Sequence, residues 1–182
     1  MTRRVTCLSI LISLFASAAM AQTIGRPVAS DLNGDGRAER FALIDSGNGT
    51  VDLQIENTGR GAIYAQNIAW LGGIGQQPEL SLAPNGSVRL MSMNEAIGRN
   101  RWHLTLTIAY RKGAYRIAGY TYDWYDTLNP EDNGVCDLNL LNGKGTLSRN
   151  GGANRAIRTT LKSRSVTEWT DDVEIPKVCG VY

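Results

Sequence analysis

The chain reads as an all-β protein, a single compact antiparallel β-sandwich or barrel-like domain built from hairpins. Three observations predict it. Asn-Gly recurs at 33–34, 48–49, 85–86, 133–134, 142–143 and 150–151, and this dipeptide accepts the positive φ values that tight hairpin turns require. Between these points apolar residues alternate with a period of two. Turn signals recur about every 8–12 residues, the spacing of a sandwich or barrel, and no stretch of useful length carries a helical period.

Taken from the N-terminus, residues 1–21 read as a signal peptide. Arg3 and Arg4 form a positive start, Leu8 to Ala19 an apolar stretch, and Ala19-Met20-Ala21 an A-x-A cleavage site. The stretch is shorter than the roughly 20 residues that span a bilayer. Cys7 precedes the apolar run, so it does not sit where a lipid-modified cysteine would follow one. Thr6-Cys7 also replaces the apolar pair expected after a twin arginine. The expected location is periplasmic or secreted, with no membrane span after cleavage. Residues 22–182 then form one all-β domain of 161 residues, enough for a real core. Cleavage removes two arginines and no acid, so the formal charge falls from +2 to zero. A neutral domain has no electrostatic footprint for nucleic acid or an anionic membrane surface.

The first element of the domain carries the most specific signal. In Asp31-Leu32-Asn33-Gly34-Asp35-Gly36-Arg37-Ala38-Glu39, oxygen side chains occupy loop positions 1, 3, 5 and 9. Arg37 at position 7 offers its backbone carbonyl, and Gly36 permits the sharp turn that wraps a chain round a hard cation. An EF-hand is excluded because position 12 is Ala42 where that motif needs a bidentate Glu, and the following Phe41-Ala42-Leu43-Ile44-Asp45 reads as a strand. This pattern resembles the FG-GAP/VCBS type of calcium loop found in β-propeller proteins, over these nine residues and the strand after them. The resemblance implies calcium as the ligand, with Asp31, Asn33, Asp35, Arg37 and Glu39 as its donors. Glu39 stands where that family more often has Asp. The alternative is a metal-free turn made of the same residues. A complete propeller is excluded, since four blades of four strands exceed 161 residues and neither the loop nor any other segment repeats.

Further along, Val51, Leu53 and Ile55 share a face, as do Leu80 and Leu82, Val88 and Leu90, and Tyr115 and Ile117. The longest alternation runs through Trp102, Leu104, Leu106, Ile108 and Tyr110. It leaves His103, the single histidine, on the wetter face with Thr105 and Thr107. No serine lies in a Gly-x-Ser-x-Gly elbow, and no motif joins His103 to a carboxylate. Asp123, Asp126, Glu131 and Asp132 allow glycosidase-like pairs to be drawn, but Asn129-Pro130 and Asn133-Gly134 mark them as loop residues. In Tyr120-Thr121-Tyr122-Asp123-Trp124-Tyr125 the rings of Tyr120, Tyr122 and Trp124 fall on one face. Exposed, that face would stack on a sugar or anchor a protein. Half-buried, it is core, which is the expectation for aromatic residues in strands.

The C-terminal part carries Cys136 and Cys179, the two cysteines left after cleavage. In an exported chain such a pair closes a disulfide, here round a 44-residue segment. Lys144, Arg149, Arg155, Arg158, Lys162 and Arg164 form a basic run without an acid, with acids on both sides of it. Contacts between these opposite charges are expected inside the disulfide-closed segment, ahead of a basic docking surface. The stretch from Trp102 to Gly145 resembles a group of exported bacterial proteins, which implies a bacterial envelope location and no particular activity.

The leading functional reading is a calcium-binding β-domain that binds a protein or glycan of the cell envelope. Its specific form is an immunity-type inhibitor of a wall-active enzyme. A carbohydrate-binding module is the alternative, and an envelope hydrolase ranks third.

Overall fold

The computed structural model describes residues 22–181; the signal-peptide assignment, residues 1–21, lies outside them. Eleven strands form two antiparallel sheets. The first sheet holds β1 (Thr23–Ser30), β2 (Glu39–Asp45), β3 (Thr50–Glu56) and β4 (Ile63–Trp70) in sequence order. The second holds β5 (Glu79–Leu82), β6 (Val88–Asn94), β7 (Asn100–Arg111), β8 (Ala114–Asp126), β9 (Asn133–Asn139), β10 (Lys144–Arg149) and β11 (Arg155–Arg158), also neighbour to neighbour. The architecture is a sandwich-like single domain, without a closed barrel.

Period-two patterning explains the core. Val51, Leu53 and Ile55 of β3 are fully buried, and they face Val88, Leu90, Leu106 and Ile108 in one continuous apolar cluster. Leu80 joins it while Leu82 stays largely exposed, so the β5 alternation holds for one of its two leucines. Tyr115 and Ile117 have odd numbers and Tyr120, Tyr122 and Trp124 even ones, yet all five are buried. The pairing supplies the reason. Thr107 opposes Gly119 and Ile108 opposes Ile117, which leaves Ala118 as an extra residue in β8. This β-bulge reverses the inward phase midway along the strand.

Asn-Gly turns occur with positive φ at Gly49, Gly86, Gly143 and Gly151, but Asn133-Gly134 opens β9 and pairs with Trp124 and Tyr125. The glycine is there for space. A Cβ at Gly134 would lie 2.6 Å from the Ser148 carbonyl oxygen and 2.6 Å from the Trp124 ring.

After β11 the chain crosses back over the sandwich. A capped 3-10 turn, Val166–Glu168, is followed by the buried Trp169, and a second turn, Lys177–Cys179, delivers Cys179 to Cys136 of β9. Both sulfurs belong to fully buried residues. Among the described residues no helix is long and apolar enough to cross a membrane.

Candidate functional site

The loop between β1 and β2 is organised by its own side chains. Asp31 accepts the amides of Gly34 (2.9 Å) and Asp35 (3.1 Å) on Oδ1 and that of Gly36 (3.0 Å) on Oδ2. Asn33 Oδ1 accepts the Asp35 amide at 2.8 Å, and Asp35 Oδ1 accepts the Arg37 amide at 2.9 Å. Such successive Asx turns draw the short oxygen side chains to the inside of the curve. Gly36, at φ 84°, takes the left-handed bend that a residue with a Cβ would resist.

Glu39 behaves differently from the rest of the loop. As the first residue of β2 it is fully buried. Its Oε2 accepts the Leu32 amide at 2.7 Å, and the Tyr115 hydroxyl of the opposite sheet donates to Oε1 at 2.8 Å. Burial raises the Tyr115 phenol above its ordinary pKa, and the bond to Glu39 raises it further. None of the ion pairs among the described residues involves Asp31, Asp35 or Glu39.

Nor do any three His, Cys, Asp or Glu side chains among the described residues gather tightly enough to hold a metal between them. The donor chemistry still fits a hard cation in part. Asp31, Asn33 and Asp35, with the Arg37 carbonyl, present exposed or half-buried oxygens on one short turn. Glu39 is anchored inward, so any contribution from it shares oxygens already engaged by Leu32 and Tyr115.

The aromatic residues of β8 are core. Tyr120 is 1% exposed, and Tyr122 and Trp124 are each 6% exposed. Burial also pushes the Tyr122 phenol up to about 12. This agrees with the core expectation for these three strand residues, and the other possibility, an exposed partner-binding face of Tyr120, Tyr122 and Trp124, is not what the structure has. The rings of Trp102, Tyr122 and Trp124 lie side by side with centroids 6.2 and 6.0 Å apart, and Arg149 covers Trp124 at 5.4 Å.

His103 is not merely solvated. Cross-strand pairing sets it opposite Asp123, with Nδ1 2.9 Å from Asp123 Oδ1, while Nε2 lies 3.0 Å from Glu95 Oε1. The Tyr125 hydroxyl donates to the other Glu95 oxygen at 2.6 Å, and that bond raises the Tyr125 pKa. Asp126 is held by Arg99, whose guanidinium keeps the carboxylate below its usual range. Sequence reading missed Glu95 because it lies in a loop, and the register that sets Asp123 beside His103 has no local signature.

One end of the sandwich carries three neighbouring loops. The β4–β5 loop exposes Ile74 completely, the β6–β7 loop exposes Ile97 to 59%, and the β8–β9 loop exposes Leu128 to 75%. The loops are stitched together: Gln76 accepts the Glu95 amide, and the Thr127 amide donates to the Arg99 carbonyl. A cleft of about 630 Å³ opens here, lined by the half-buried Trp102 and by Asn94, Asn100 and Asp132. Short uncharged runs, Gly73-Ile74-Gly75 and Ala96-Ile97-Gly98, were the available signal for these tips. The Asp31–Glu39 loop lies at the opposite end, beside Gly86 and Tyr115.

The expected contacts between the basic run and its acidic neighbours are not formed; among the described residues no ion pair joins them. Arg149 instead donates to the Gly180 carbonyl. The other five cations point to solvent.

No protein-family model, curated protein or solved structure matches this chain.

Proposed function

We propose that this protein is an exported, calcium-stabilised β-domain that binds a protein of the bacterial envelope, in the manner of an inhibitor of a wall-active enzyme. The observation that carries the binding reading is the set of aliphatic tips Ile74, Ile97 and Leu128 on three adjacent loops. Behind them Arg99 pairs with Asp126 and the His103 ring contacts Glu95, while Arg101 in the same cleft forms no ion pair among the described residues. Uncharged aliphatic groups projecting from a braced end suit insertion into a partner's cleft, because their burial there displaces water without stranding a charge. The buried disulfide supports an oxidising compartment. Calcium, when bound, supplies positive charge to a loop whose carboxylates have no cationic partner.

The test uses residues 22–182 against a lysozyme-type muramidase digesting peptidoglycan. The wild-type protein slows digestion, and the triple variant Ile74→Asp, Ile97→Asp, Leu128→Asp does not. Equal behaviour of the two proteins refutes the reading. Calcium is tested separately by thermal unfolding with the ion and with excess chelator. For a dissociation constant of about 0.1 mM and about 1 mM free ion, linkage adds roughly 1.4 kcal/mol, and Asp35→Ala removes it. An unmoved wild-type midpoint would mean that the loop is only a turn.

The carbohydrate-binding alternative is favoured by one observation, the cleft beside Trp102. One half-buried ring with Asn94, Asn100 and Asp132 nearby is a set suited to a pyranose. Glycan capture lost in Trp102→Ala would select it.

A further inference from the structure

The disulfide-closed segment contains a second cavity, of about 770 Å³, formed where residues 158–164 meet residues 170–178. Arg158 and Arg164 line it from the first stretch, and Asp172, Glu174 and Lys177 from the second. All five are exposed, and among the described residues none forms an ion pair. Opposite charges bordering one space without touching leave room for a ligand to bridge them. Leu161 and Ile175, packed against the core and partly buried, add an apolar lining to the same space. Arg158 is also the last residue of β11, which ends the seven-stranded sheet with no strand beyond it. The outer backbone donors and acceptors of such an edge are available to an added extended chain.

We propose that this cavity is a binding site for a short extended peptide carrying one acidic and one basic side chain. The edge of β11 aligns the peptide backbone. Its carboxylate meets Arg158 and Arg164, its ammonium group meets Asp172 and Glu174, and a small apolar residue between them rests on Leu161 and Ile175. The size falls within the range of about 300–1,000 Å³ usual for ligand pockets. The inference does not depend on the loop-end reading.

The probe is a fluorescein-labelled, acetylated and amidated peptide, Ala-Glu-Ala-Lys-Ala, followed by fluorescence anisotropy with residues 22–182. Saturable binding is expected below 1 mM, weakening as salt rises. A peptide with Gln replacing both charged residues should bind at least tenfold more weakly. Arg158→Glu with Arg164→Glu should cause a similar loss, whereas the triple loop-tip variant should bind normally. If the double reversal unfolds the protein, Arg158→Gln with Arg164→Gln replaces it and should still weaken binding severalfold. Absence of saturable binding up to 1 mM, equal affinity for the Gln peptide, or unchanged affinity in the arginine variants would overturn the proposal.

Discussion

Gly134→Ala tests whether this glycine serves a turn or close packing. A turn glycine replaced by alanine suffers only backbone strain, about 1–2 kcal/mol where φ is positive. Gly134 has no positive φ, and the added methyl would instead sit 2.6 Å from both a backbone oxygen of β10 and the Trp124 ring. The ring can tilt, but the Ser148 carbonyl belongs to a paired strand and has little freedom. Overpacking of this kind costs about 1–3 kcal/mol, and the immobile contact places the expectation at the upper end, about 2–3 kcal/mol. For a domain of this size that lowers the melting temperature by about 4–12 °C. Urea unfolding followed by tryptophan fluorescence measures the cost, with Gly151→Ala as the turn control, since nothing lies near its added methyl. Trp124→Phe should recover part of the loss in the double variant, because a smaller ring yields space. A Gly134→Ala protein within 0.5 kcal/mol of wild type, or strictly additive effects with Trp124→Phe, would refute the packing argument.

Three other expectations are accessible to similar measurements. Replacing Cys136 and Cys179 by Ala should cost about 4 kcal/mol, the loop-entropy value for 44 residues, in denaturant unfolding of variant against oxidised wild type; a loss under 1 kcal/mol would show that the crossing segment is held by its packing alone. Because Arg99 depresses the Asp126 pKa in the folded state, the pair stabilises the protein above the unfolded carboxylate range near about 3.9 and loses that effect as pH falls through the lower folded value. Arg99→Gln should therefore be less stable than wild type at pH 7, with the gap closing toward pH 2, and a gap that widens in acid contradicts the assignment. His103→Ala should stay folded and within about 1 kcal/mol of wild type, since its ion pairs are partly exposed; a large loss of hydrolytic activity at unchanged stability would instead restore the envelope hydrolase.

Local chemistry made much of the fold legible. The alternation of Val51, Leu53 and Ile55 and the glycines at 49, 86, 143 and 151 act over a few residues, and the structure uses them as the pattern implies. Asn133-Gly134 misled because one dipeptide serves two purposes, and only the neighbouring β10 strand distinguishes them. The Asp31–Glu39 loop residues were visible as a string, but the inward anchoring of Glu39 depends on Tyr115, 76 residues away. The same holds for Glu95, whose meeting with His103 requires both the strand register and the bend of an intervening loop. Burial of the β8 rings followed from strand statistics, whereas the separation of the tail's charges did not, since complementary sign along a chain does not ensure contact.

The extra residue Ala118 has a consequence for how this protein tolerates change. If β8 paired as a regular ladder without giving up this residue, Tyr120, Tyr122 and Trp124 would turn toward water, and Thr121 and Asp123 would turn into the apolar interior. The misplaced rings would form an aromatic, β-prone stripe of the kind that recruits other chains. Removing Ala118 escapes that outcome, because Tyr115, Ile117, Tyr120, Tyr122 and Trp124 then fall on one face by simple alternation. The expected product of the deletion is a folded protein whose β8 has lost the local bend and extra twist of the bulge.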